Sequence, residues 1–235
     1  MRTTSCSDIL ETWERGNRLH PLDRSLLALS MALSFPREDL ADWPLGRRNR
    51  SLFEVYCSMF GSRLQGWTAC PECGEKVEID LDARVLMTTE GNTQEPESTV
   101  TVGSERFRLP TSRDMAHVIA ASEDDTAATH LLERCRVSGT EPFACTNEVL
   151  EQVGEKLASA DPMAETRLAL CCPECDGQWD ETLDIGGFVW AEIEVRAERI
   201  LWEVHTLASS YGWTEAETLS LSAARRALYL EMAQS

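Results

Sequence analysis

Cys70-Pro71-Glu72-Cys73 and Cys172-Pro173-Glu174-Cys175 are one four-residue phrase written twice, and each copy lies between extended-looking segments. A Cys-x-x-Cys spacing bends the backbone into a tight loop that turns both sulfurs toward one point, and the proline inside it pre-sets φ. After Cys73 comes a polar turn, then Val77, Ile79 and Leu81 alternating with Glu78 and Asp80, the period-2 pattern of a half-buried strand. After Cys175 the run Asp176-Gly177-Gln178-Trp179-Asp180 is again a turn leading into extended chain, while Leu64 to Ala69 and Arg167 to Cys171 are strand-like upstream. The pattern predicts two hairpins whose loops face each other, with Cys70, Cys73, Cys172 and Cys175 holding one structural Zn²⁺ as a zinc ribbon.

A redox reading competes, because Cys-Pro-x-Cys also heads the dithiol of glutaredoxin-like enzymes. There the motif opens a helix after a strand; here a turn and another strand follow each copy, and two unrelated structural cysteine pairs are the third reading. Cys171 competes with Cys172 for one ligand position, and alignment of the repeat selects Cys172. Cys171, Cys6, Cys57, Cys135 and Cys145 are expected to be small buried apolar residues. Nine cysteines, an odd number, with no apolar signal segment after Met1, point away from a secreted disulfide framework and toward a reducing cytosol. No run reaches the roughly 18 apolar residues of a membrane span.

The balance of 22 basic against 40 acidic residues gives a formal charge of −18, a field that repels a polyanion, and no basic stripe accompanies either cysteine loop. Nucleic acid is therefore excluded as the expected partner. The local basic cluster Arg47, Arg48, Arg50 and Arg63 reads as a solvated helix start, with a docking role as the alternative. With 43% hydrophobic residues, the chain has the apolar surface for a real core.

The 98 residues between Cys73 and Cys172 exceed what a ribbon loop needs, so a second module is expected there. The reading is α+β: helical N- and C-terminal regions around a zinc-ribbon hairpin pair, with a small inserted α/β module. Its boundaries are 1–62 for the N-terminal helices, 63–82 for the first hairpin, 83–161 for the insertion, 162–186 for the second hairpin and 187–235 for the C-terminal helices. Within the insertion, Met87 to Ser98 reads as a mobile loop, and Thr99 to Val102 with Arg106 to Leu109 as a hairpin. Three helices follow: Ser112 to Ala121, Asp124 to Cys135 capped by Ser122, and Asn147 to Ala160. Leu10 to Arg15, Pro21 to Leu33 and Arg47 to Phe60, stopped by Gly61, are the expected N-terminal helices.

From Trp190 the apolar positions run Trp190, Ile193, Ala197, Ile200, Val204, Leu207 and Tyr211, in alternating three- and four-residue steps. At 100° per residue, Val195 and Trp202 fall on nearly the opposite side, so the helix is apolar on two faces. Either its own chain covers both faces, or one face docks a partner. Val195, Trp202, Arg225, Arg226 and Tyr229 are the candidate partner-binding residues. Thr214 and Glu217 form a capping box, and Ser222 is placed to cap the last helix.

Catalytic signatures are missing. His20, His117, His130 and His205 are scattered, with His205 expected at the edge of the core, and no Gly-rich phosphate loop, Gly-x-Ser-x-Gly or His-Glu-x-x-His occurs. Four cysteines close a zinc shell and leave no position for water activation. The expectation is a protein that is not an enzyme and has no small-molecule substrate.

Several segments resemble a known family: Trp13-Glu14-Arg15-Gly16, His20-Pro21-Leu22-Asp23-Arg24, Pro44-Leu45-Gly46-Arg47-Arg48-Asn49, the doubled Cys-Pro-Glu-Cys, Asp161-Pro162, Trp190-Ala191-Glu192-Ile193, Glu203 to Ala208, Tyr211-Gly212-Trp213-Thr214-Glu215 and Arg225 to Leu230. They are similar to baseplate proteins of contractile phage tails and phage-tail-like injection systems, including the baseplate hub assembly proteins of T4-like phages. The likeness covers most of the chain and is weakest over Ala83 to Leu157. It implies a structural part or assembly factor of a baseplate, acting in the bacterial host cytosol or in the tail particle, with other tail or baseplate proteins as partners. Two other classes share part of the pattern: a zinc-ribbon adaptor of another bacterial complex, and a Cys-x-x-Cys thiol oxidoreductase.

Overall fold

The computed structural model describes residues 4–89, 99–121, 126–137 and 145–234. Helices combine with small antiparallel sheets of two strands each, an α+β architecture. The chain separates into two compact units, one of Met1–Ser34 with Gly187–Ser235, the other of Phe35–Gly186. The stretch read as one helical region over 1–62 is thus divided after Ser34.

In the first unit, helix α1 (Cys6–Gly16) starts with a capping box between Ser5 and Asp8. Helix α2 (Pro21–Leu33) starts with proline at its first turn, and His20 Nδ1 accepts the Leu22 N–H at 3.3 Å. The Arg24 guanidinium donates to the carbonyls of Gly16 (3.1 Å), which also accepts the Leu19 N–H, and Asn17 (2.6 Å), at the end of α1. The same guanidinium lies 5.0 Å above the Trp190 ring, and Gly16 leaves the space that this ring occupies. Trp190 opens the seam of helix α9 (Ile185–Tyr211), which buries Ile193, Ala197, Ile200 and Leu207 and leaves Tyr211 exposed.

Helix α10 (Glu215–Ser220) carries the expected Thr214–Glu217 capping box, and Ser222 Oγ accepts the Arg225 N–H at 3.3 Å at the head of α11 (Ala223–Gln234). Arg226 pins α11. Its guanidinium donates to Glu203 Oε2 (2.9 Å), to the Leu221 carbonyl (2.7 Å) and to Cys6 Sγ (3.2 Å). Nearby, the Tyr211 and Trp213 rings stack at 4.9 Å with Tyr229 edge-on to both.

The second unit runs through α3 (Arg37–Ala41), α4 (Leu45–Met59), β1 (Arg63–Ala69), β2 (Lys76–Asp82), α5 (Ala83–Thr89), β3 (Thr99–Val102), β4 (Glu105–Arg108), α6 (Ser112–Ala121), α7 (Ala127–Cys135), α8 (Asn147–Ala160), β5 (Arg167–Cys171) and β6 (Gln178–Thr182). Two corrections to the sequence reading arise here. The short helices α3 and α5 were not expected, and α5 takes the first residues of the supposed mobile loop; positions 90–98 lie outside the described residues, as do the proposed cap Ser122 and Asp124. The insertion has its own core, where Val100, Phe107 and Leu109 from the hairpin region pack with Leu132, Val153 and Leu157 from α7 and α8.

Two polar locks fix this unit. The start of α4 has no side-chain cap of its own, and the buried Asp161 supplies one by accepting the Gly46 N–H at 2.9 Å. Asn49 Nδ2 donates to the carbonyls of Met163 (2.9 Å) and Ala164 (3.0 Å) one turn further along. The second lock is Asp114, 1% exposed, which accepts from Arg108 (2.5 and 2.8 Å), Arg134 (3.2 Å) and the Thr111 hydroxyl (2.7 Å). The supposed basic cluster is dispersed: Arg47 covers the Trp43 ring, Arg48 bonds Asn49 and Ser112, and Arg63 pairs with Asp80.

Candidate metal centre

Both cysteine loops have the same backbone. The Cys70 N–H donates to the Glu75 carbonyl (2.8 Å) and the Gly74 N–H returns to the Cys70 carbonyl (2.9 Å); Cys172 with Gly177 and Asp176 repeats this at 2.9 and 3.0 Å. The residue after each second cysteine must be left-handed, with φ of +75° at Gly74 and +58° at Asp176, which explains why glycine and aspartate stand there. The loops close the β1–β2 and β5–β6 hairpins, where Ala69 pairs with Lys76 and Cys171 with Gln178.

The loops face each other. Sγ of Cys70 lies 3.7 Å from that of Cys175, Sγ of Cys73 lies 3.6 Å from that of Cys172, and all four sulfurs fall within 4.8 Å of one another. A tetrahedron of sulfurs about 2.3 Å from a central ion has edges of about 3.8 Å, so this donor set fits a tetrathiolate metal ion. Cys70 and Cys172 are buried and Cys73 and Cys175 exposed, one of each kind per loop. Among the described residues no other group of three or more His, Cys, Asp or Glu converges in this way.

The Cys70 and Cys175 thiols are shifted in opposite directions. Backbone N–H groups of Cys73 and Glu72 draw Cys70 down to about 7 against the opposing effect of burial. At Cys175 the Gly177 N–H favours the thiolate, but the neighbouring Cys73 sulfur, burial and the other two sulfurs outweigh it and push the thiol up to about 12. A central cation is what makes four adjacent thiolates compatible.

Cys171 is excluded from the cluster, since its sulfur points to the Cys172 and Asp176 carbonyls at 3.9 and 4.0 Å. It is also exposed, contrary to the expectation that it is buried; period-2 alternation along β5 turns it away from its neighbour Cys172. Two contacts that join the hairpins were missed. The Thr68 hydroxyl donates to Glu181 at 3.1 Å, and Glu72 reaches across to 3.9 Å from Cys175 Sγ. Thr68 stands two residues before Cys70 and so shares its strand face, which was the available signal.

The expected partner residues separate into two groups. Val195 and Trp202 are 63% and 52% exposed, and Arg225 is exposed. Tyr229 is half-buried in its aromatic cluster, and Arg226, only 5% exposed, spends its guanidinium inside the unit rather than presenting it to a partner. His205, expected at the core edge, is exposed.

No family model, curated protein or solved structure matches this chain. Among the described residues no helix is long and apolar enough to cross a membrane.

Proposed function

We propose that this protein is a non-enzymatic component or assembly factor of the baseplate of a contractile phage tail or tail-like injection system, with a zinc ribbon at the centre of its second unit. Cys70, Cys73, Cys172 and Cys175 hold one Zn²⁺, since an all-thiolate tetrahedral shell selects a soft ion and leaves no open position for catalysis. The metal's work is mechanical: it joins two hairpins whose loops stand 98 residues apart in the chain.

One observation supports the baseplate reading above the others. The segments similar to baseplate proteins meet in pairs: Gly16 and Arg24 at Trp190, Gly46 and Asn49 around Asp161 and the turn after it, Glu203 with Arg226. Such segments carry a scaffold rather than a reaction, and the exposed Val195 and Trp202 give that scaffold an apolar face for another tail protein.

Co-expression with tail-tube, sheath and baseplate-wedge proteins from the same gene neighbourhood, followed by affinity capture, tests the assignment. Recovery of a defined tail protein supports it; capture of none, with assembled tails unaffected by deleting this gene, overturns it.

A further inference from the structure

The ligand set divides into an accessible half and a protected half, and the two halves are interleaved. Cys73 and Cys175 face solvent while Cys70 and Cys172 are buried. Each exposed sulfur lies beside a buried one of the opposite loop, Cys73 at 3.6 Å from Cys172 and Cys175 at 3.7 Å from Cys70. The Thr68–Glu181 bond joins the hairpins through neither cysteine nor metal, so the loops have a reason to keep facing each other after an ion is lost.

We infer that the centre is a clasp with two closed forms, metal-held when reduced and disulfide-held across the loops when oxidised by a peroxide. This rests on the metal reading above. The exposed cysteine, a thiolate while it ligates the metal, attacks the peroxide O–O bond, giving a sulfenic acid and hydroxide and weakening the metal's hold. The buried thiol of the opposite loop then attacks the sulfenic sulfur, forming S–S and releasing water. Each bridge consumes one peroxide, which is reduced by two electrons to hydroxide and water as two thiols become a disulfide. The sulfurs close from 3.6–3.7 Å to the bonded distance of about 2.05 Å. Bridges within a Cys-x-x-Cys would instead leave the hairpins unclasped; the cross-loop pairing Cys73–Cys172 and Cys70–Cys175 keeps them joined.

Trypsin distinguishes the outcomes, because Cys70 and Cys73 fall in peptide 64–76 while Cys171, Cys172 and Cys175 fall in peptide 168–196. The full-length, zinc-loaded protein is titrated with hydrogen peroxide, released zinc is read with a chromogenic chelator, and the digest is analysed without reduction. The expected result is one zinc released for about two peroxides, with peptides 64–76 and 168–196 disulfide-linked to each other. Fragmentation of the linked pair should place Cys73 with Cys172 and Cys70 with Cys175, and C171S should behave in the same way. C73S should still form the Cys70–Cys175 link. Internal bridges within each peptide, linkage through Cys171, or zinc retained under excess peroxide would each overturn the inference. Failure of the metal reading shows earlier, as metal missing from the reduced starting protein.

Discussion

The Asp161 carboxylate accepts the Gly46 N–H at 2.9 Å across 115 residues of chain, and the Cβ that any other residue would place at position 46 falls 1.7 Å from Asp161 Oδ1. The close approach and the cap are one device: a helix start without a cap of its own takes one from the far end of the insertion, and only glycine lets it in.

Gly46→Ala should therefore cost about 2–3 kcal/mol, as overpacking at a rigid site does, with unfolding followed in urea. Asp161→Ala should cost less than Gly46→Ala, because it removes the cap without creating a clash. Equal stability of Gly46→Ala and the wild type would show that the contact is slack.

Asp114 gives the fold a pH dependence of definite sign. Burial alone would raise its carboxyl, but the bonds from Arg108 and Thr111 hold it at about 2, below the roughly 3.9 of an unfolded chain. The folded state thus binds fewer protons there, and the contribution is full above about pH 4 and lost as pH falls through 2. Arg108 keeps 37% of its side chain in solvent, so screening reduces the contribution to about 1–2 kcal/mol. Asp114→Asn should lower stability at pH 7, and the gap to wild type should narrow between about pH 4 and pH 2. Asp161, whose carboxyl burial raises, opposes this trend.

Metal content should be one equivalent in the reduced protein and should fall in Cys172→Ser but not in Cys171→Ser. Chelation should loosen both hairpins together, read as faster amide exchange in residues 63–82 and 167–182. Retained zinc in Cys172→Ser with loss in Cys171→Ser would reverse the ligand assignment.

Trp202→Ala and Arg226→Ala should separate surface from support. Trp202 is 52% exposed, so its removal should change stability by less than about 1 kcal/mol while impairing recovery of assembled tails. Arg226→Ala leaves the buried Glu203 with only the exposed Arg199, at 3.3 Å, and should cost about 2 kcal/mol in the isolated protein. A large loss of stability in Trp202→Ala would place that ring in the core.

The hairpins, the α6 and α8 spans and the Thr214–Glu217 capping box were legible because their signals are local: period 2, period 3.6, and a three-residue cap. The four cysteines were legible because the phrase repeats. Helices α3 and α5 escaped because five and seven residues are too few for a helical period to declare itself. Arg226 was misjudged for a different reason. An arginine on a short helix is read as exposed unless its acid is known, and Glu203 lies 23 residues away on another helix. The Asp161 cap has no sequence signal at all, since its acceptor and donor are joined only by the tertiary fold.

The first unit takes its helices from both ends of the chain, and this orders events during synthesis. When α1 and α2 leave the ribosome, the Trp190 ring that seats on Gly16 and the Arg226 that grips Cys6 have not yet been made. The second unit, 35–186, emerges next and can fold around its closed clasp while the first helices wait. The Val195–Trp202 face is therefore displayed on a settled unit only after Arg226 of α11 has been made, so a chain stopped before it carries that face on helices that nothing yet pins.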